Sequence, residues 1–281
     1  MSYLAIMQGR LVPPEGGHFQ SFPRSRWRDE FGLAKQAGLN AIEWIYDLYG
    51  ADANPLATDA GVEEMRALSQ QTGISVRSLC ADYFMDRPFL RSTQSESDEL
   101  IAKMEWLLSR CAGAGIGRVV IPFVDKSRIE SEDEKVQVLS ILERLLPAAE
   151  RNHVELHLET SLAPGPFAAM IEECTHPLVK VNYDSGNSSS LGYQPMDEFA
   201  AYGHRIGSVH IKDRLRGGGT VPLGTGDADL PAVFQGLAAL PYRGDYVLQI
   251  ARTEPGEELA WISQNRAWIA GQIESAKKAT S

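Results

Sequence analysis

The sequence predicts a (β/α)8 TIM barrel, a closed ring of parallel strands wrapped by helices, spanning residues 1–281 as a single domain. Three observations predict it. Short apolar or β-branched runs alternate with longer amphipathic runs from one end to the other, which is the pattern of repeated βα units. Eight such pairs can be counted, the number that closes into a barrel. A length of 281 residues also lies near the roughly 250 that such barrels occupy as one domain.

The expected strands are Leu4–Gln8, Ala41–Tyr46, Ser75–Ala81, Arg118–Val124, Val154–Thr160, Val179–Asp184, Gly207–Lys212 and Tyr246–Ala251. Helical periodicity falls between them, over Arg26–Ala37, Gly61–Gln71, Asp98–Ala112, Glu132–Arg151, Phe167–Cys174, Asp197–Tyr202, Leu230–Leu240 and Glu258–Lys277. Gly38, Gly73 and Gly115 follow three of these helices where a left-handed residue is wanted, and Ser97 or Asp98 is placed to cap a fourth.

Both faces of a barrel strand are covered, so a polar residue inside a strand needs a reason. The last four strands supply several. In VELHLET, His157 and Glu159 share one face; in VKVNYD, Asn182 and Asp184 do; in SVHIK, Ser208, His210 and Lys212 do. That face should be the lumen. Glu159, Asp184, His210 and Gln249 all lie near strand C-termini, the end where barrel enzymes place their chemistry. Two carboxylates, an imidazole and an amide form a ligand set for one divalent ion, oxygen-rich enough for Mg or Mn and with an imidazole that admits Zn or Co. His157, deeper in its strand, is a candidate partner behind the ligands and a candidate polar contact for substrate. Glu43 in IEW faces the lumen by the same parity, with Ile42 and Trp44 packing outwards, and is a second candidate carboxylate. Trp44, Tyr46 and Phe123 are candidate walls of an apolar pocket.

Composition narrows the partners. With 43% hydrophobic and 23% charged residues, the chain has the makeup of a globular domain. A formal charge of −10, with 27 basic residues scattered without a stripe, argues against nucleic acid. No apolar run approaches the ~20 residues that span a bilayer, and the N-terminus lacks the marks of a secretory signal, so no membrane partner and a cytoplasmic location are expected. Cys80, Cys111 and Cys174 are odd in number and widely spaced, as for reduced, buried thiols. The sequence leaves a homo-oligomer open.

The segments HLET, YDSGN, VHIKDR and PLGTGDADLPAVFQGL, with MQGRL at the start and GLNAIEW in the second strand, resemble corresponding stretches of the xylose-isomerase-like barrels, the sugar-phosphate isomerase/epimerase family. The resemblance covers nearly the whole chain, and HIKD followed by LGTGDADL is its most specific part. It implies a small sugar or sugar phosphate as substrate. It also implies a metal held by Glu159, Asp184 and His210, with Gln249 where the family has a final Glu. Family epimerases use the first and last carboxylates as an acid/base pair, and an amide cannot exchange a proton. Asn187 stands where ketose 3-epimerases carry a His, and Arg216 where they carry an Arg that meets substrate oxygens; with Lys212 and Arg214 it makes the loop cationic.

The expected chemistry is proton abstraction beside a carbonyl, with Glu159 as base, a divalent metal stabilising the resulting enediolate, and Lys212 or Glu43 among the candidates for the second proton donor. Two other readings share the metal site: a lyase of the inosose-dehydratase kind that expels water, and a catalytically silent sugar-binding barrel favoured by Gln249. An endonuclease IV-like repair enzyme is disfavoured by 6 histidines and the net charge of −10.

Overall fold

The computed structural model describes residues 3–279. Strands β1 (Leu4–Met7), β2 (Ala41–Ile45), β3 (Ser75–Cys80), β4 (Arg118–Phe123), β5 (Glu155–Thr160), β6 (Val179–Asp184), β7 (Ile206–Ile211) and β10 (Tyr246–Leu248) close into a parallel barrel in the order β1-β10-β7-β6-β5-β4-β3-β2. A short antiparallel hairpin, β8 (Asp213–Arg214) and β9 (Thr220–Val221), follows β7.

The outer layer holds helices α1 (Asp29–Gln36), α2 (Asp59–Thr72), α4 (Gln94–Ala114), α5 (Glu132–Asn152), α6 (Pro164–Glu173), α8 (Pro195–Tyr202), α9 (Leu230–Ala239) and α10 (Glu258–Ala279). Two short helices, α3 (Tyr83–Asp86) and α7 (Ser185–Leu191), sit directly after β3 and β6 and were not expected. Each is too short for a 3.6-residue period to show. Helix α4 starts four residues earlier than its apolar pattern, because Thr93 rather than Ser97 or Asp98 caps it. Thr93 and Glu96 form a reciprocal capping box. Gly73 and Gly115 do close α2 and α4 in the left-handed region.

Strand β10 ends at Leu248, short of the expected Ala251, yet the Gln249 amide still donates to Ile211 O at 3.0 Å, so Gln249 keeps strand register. The parity argument holds at β2. Trp44 turns outwards, its ring centroid 5.7 Å from that of Trp27 and 6.1 Å from that of Phe31, and its indole N–H donates to Asn54. Tyr46 and Phe123 likewise pack on Trp106 and Phe89, so none of the three walls the cleft.

Register slips between Ile42 and Glu43 against β3, and between Val181 and Asn182 against β7, bring Glu43 opposite Ser78 and Asp184 opposite His210. Bulges of this kind re-aim side chains next to functional sites. All three cysteines are free and buried. Among the described residues no helix is long and apolar enough to cross a membrane.

Candidate metal centre and active-site cleft

Strand register brings Glu159, Asp184 and His210 together at the C-terminal mouth of the barrel, each at most 5% exposed. One donor atom from each lies within 4.8 Å of the other two.

Asp184 divides its labour. Its Oδ1 accepts from the Gly186 and Asn187 amides at 2.9 and 2.8 Å and so starts α7, leaving Oδ2 aimed inwards. Glu159 is held by two amides: Asn182 donates to Oε2 at 2.8 Å and Asn187 to Oε1 at 2.6 Å. Behind the imidazole, His210 Nε2 lies 2.6 Å from Glu43 Oε1. Its Nδ1 has no hydrogen-bond partner and faces Glu159 Oε2 at 3.4 Å and Asp184 Oδ2 at 3.8 Å.

Burial alone would lower the His210 pKa, but Glu43, Asp184 and Glu159 together hold it well above its ordinary value. Burial would raise Asp184, yet the Lys212 ammonium and His210 keep its carboxyl below the usual range. Lys212 Nζ lies 2.8 Å from Asp184 Oδ2 and donates to Gln249 Oε1 at 2.8 Å.

This donor set fits a hard or borderline divalent cation: two carboxylate oxygens and an imidazole nitrogen whose other nitrogen is fixed by a carboxylate. The unpartnered Nδ1, turned towards two anionic oxygens, is the observation on which the fit rests. Gln249 approaches the cluster through Lys212, and its Nε2 donates to Gln20 Oε1 at 3.0 Å.

A cleft of about 210 Å³ opens over the cluster. Arg10, Gln20, Asp82, Glu159, Asn187, Lys212, Arg214 and Gln249 are among the residues lining it. Arg214 donates to Asn187 Oδ1 at 2.8 Å, so Asn187 links Glu159 to a cation.

Three candidate residues belong neither to the cluster nor to the cleft lining. Glu43 has no exposed surface and sits behind His210, where it can orient the ring but cannot reach a substrate. Arg216 is exposed, its guanidinium against Gly192, where an added Cβ would come within 2.6 Å of Nη2. His157 is wholly buried between Ser208 Oγ at 2.7 Å and Glu155 at 2.9 Å. It touches Glu159 only through Ser208 and Asn182, the hydroxyl donating to Asn182 Oδ1 at 2.6 Å.

Asp82 and Gln20 were not singled out from the sequence. Asp82 follows β3, with Cys80 Sγ donating to one oxygen at 3.0 Å and Gln20 Nε2 to the other at 2.8 Å. Burial pushes its carboxyl up to about 6, against the lowering effect of those two bonds. Asp213 explains why HIKD and LGTGDADL occur together. Fully buried, it accepts from the Gly224, Gly226 and Ala228 amides at 2.8, 2.9 and 3.0 Å, and a Cβ at Gly226 would collide with it.

Comparison with known proteins follows the same outline. The provisionally named L-ribulose-5-phosphate 3-epimerase SgbU of Haemophilus influenzae is 25% identical over 268 residues, covering 89% of this chain and 92% of that protein. A solved L-ribulose 3-epimerase superposes with a TM-score of 0.78 at 16% identity, over 99% of this chain and 97% of the other. The IOLI protein with a binding zinc atom gives 0.76 at 17% identity, over 98% and 99%. The family profile described as xylose isomerase-like TIM barrel matches residues 31–272, and the chain belongs to that family.

Proposed function

We propose that the protein is a metal-dependent 3-epimerase of ketose phosphates, acting by proton abstraction beside a carbonyl, with L-ribulose 5-phosphate as the representative substrate. The observation that carries this reading is the buried Glu159, Asp184 and His210 cluster, with its unpartnered Nδ1, at the floor of a cleft that also holds Lys212 and Arg214. The names of the relatives supply the substrate class.

Glu159, Asp184 and His210 would hold the ion, with Gln249 Oε1 as a neutral fourth donor. A divalent cation bound there supplies positive charge beside the substrate oxygens and so makes the neighbouring C–H more acidic. Glu159, held through both oxygens by Asn182 and Asn187, takes the proton from C3. Arg214 lies in the cleft to receive an anionic end of the ligand, and Asn187 keeps it in line with Glu159. Glu43, hydrogen-bonded to His210 Nε2, would favour a proton there and leave Nδ1 as the nitrogen to hold the ion.

The test is incubation with L-ribulose 5-phosphate and Mn²⁺ in deuterated water. Solvent deuterium at C3 and appearance of the C3 epimer are expected, and both are lost in Glu159→Ala. Absence of label with Mn²⁺, Mg²⁺, Zn²⁺ and Co²⁺ alike would overturn the reading.

A further inference from the structure

Inverting a carbon through a planar intermediate needs a proton acceptor on one face and a proton donor on the other. Glu159 serves one face. Gln249, at the strand end where a second carboxylate would complete the pair, carries an amide with no exchangeable acid proton at neutral pH. Glu43 is sealed behind His210. The Lys212 ammonium is 2.8 Å from both Asp184 and Gln249 and so is held within the metal cluster.

Two carboxylates besides Glu159 line the cleft, Asp82 and Asp125. Asp125 is exposed at the rim, whereas Asp82 is 6% exposed. Asp82 also lies one side chain away from the missing acid: Gln249 Nε2 donates to Gln20 Oε1 at 3.0 Å, and Gln20 Nε2 donates to Asp82 Oδ2 at 2.8 Å.

Resting on the epimerase reading above, we infer that Asp82 is the second proton-transferring residue and works the face of the reacting carbon opposite Glu159. In one direction Glu159 takes the C3 proton, and the C–H electron pair moves into the C2 carbonyl to give the enediolate. Asp82, as the neutral acid, then delivers its proton to the other face while the electrons return to C3. Glu159 is left protonated and Asp82 ionised, and exchange with solvent restores both. In the reverse direction the roles exchange. Burial suits Asp82 to this, since its carboxyl is pushed up to about 6, where both protonation states are populated near neutrality. Cys80 and Gln20 fix its orientation without occupying every lone pair.

The experiment follows deuterium entry at C3 from each epimer separately, starting from L-ribulose 5-phosphate or from its C3 epimer, with Mn²⁺ and Asp82→Asn. Wild type labels both. The variant is expected to label only the epimer whose hydrogen faces Glu159, because the base there can still remove and return a proton on its own side. Interconversion should fall at least 100-fold, and Mn²⁺ affinity, read by titration, should stay within about threefold. Interconversion within threefold of wild type would overturn the inference. So would parallel loss of label from both epimers with weakened Mn²⁺ binding, which marks a residue that only positions Gln20 and Gln249. Should Asp82→Asn fold poorly, Asp82→Glu keeps a titrating group at the same place and must retain label entry into both epimers; entry into one alone counts against the assignment. Wild type that neither exchanges nor interconverts would instead remove the epimerase reading itself.

Discussion

Glu43 Oε1 and His210 Nε2 lie 2.6 Å apart in a place with no exposed surface, so a carboxylate from the second strand fixes an imidazole projecting from the seventh. With Nε2 held as a donor, Nδ1 is the nitrogen that would be offered to the proposed ion. Replacing Glu43 by Gln keeps the shape but removes the charge and lets the ring take either tautomer. Mn²⁺ affinity should fall by roughly 10- to 100-fold, the usual cost of losing such a partner. Titration of the metal-free protein checks it, and unchanged affinity would dissociate His210 from the ion.

On the proposed metal site, an ion and a proton would compete for His210 Nδ1. Glu43, Asp184 and Glu159 hold the imidazole pKa well above its ordinary value, which favours the protonated ring when no ion is bound. If an ion takes Nδ1, its binding should release a proton, and its affinity should rise with pH. Calorimetry in buffers of different ionisation enthalpy measures the release. A value near zero would place the ion elsewhere.

Arg214 and Arg216 are two residues apart and should behave differently. Arg214 lines the cleft and supports Asn187, whereas Arg216 lies exposed against Gly192. Arg214→Ala should raise KM about tenfold or more for a phosphorylated ketose, consistent with loss of a charge-assisted hydrogen bond. Arg216→Ala should change it less than threefold. Equal effects would show that the loop between β8 and β9 moves over the ligand.

Glu30 makes a separate prediction about stability. Its Oε1 accepts from the Gly9 and Leu11 amides at 2.7 and 3.3 Å, tying α1 to the loop after β1, and Oε2 has no partner. Burial raises its pKa from 4.5 to about 8. Between those values the folded chain holds a proton that the unfolded chain has released, so this contribution to stability falls as pH rises from about 4.5 to about 8. Urea midpoints compared near pH 5 and pH 8 should show a smaller alkaline decline in Glu30→Gln than in wild type.

The barrel and the meeting of Glu159, Asp184 and His210 at its mouth were legible in the sequence for one reason. Alternation along a strand assigns each residue to a face, and Glu159, Asp184, His210 and Glu43 all lie on strands whose apolar partners fix that face. Parity does not say how deep a residue lies or what stands in front of it, which is why Glu43 and His157 read as pocket residues though both are enclosed. Asp82 and Gln20 sit just beyond strand ends, where no period applies and only the fold brings β3 near the loop after β1. Arg216 was placed by resemblance, and a resemblance in one loop does not carry the direction of a long side chain.

The two oxygens of Asp184 have different masters. One starts a seven-residue helix and the other faces the candidate ion site, so the cap of the first turn is made within the chain. Because the cap is made by the chain's own amides, a cation on the other oxygen would cost the helix none of its hydrogen bonds. Asparagine at this position should therefore separate the two duties: the helix keeps its cap, while the ion loses a counter-charge. Few single-residue exchanges so cleanly divide the architecture of a binding site from its electrostatics.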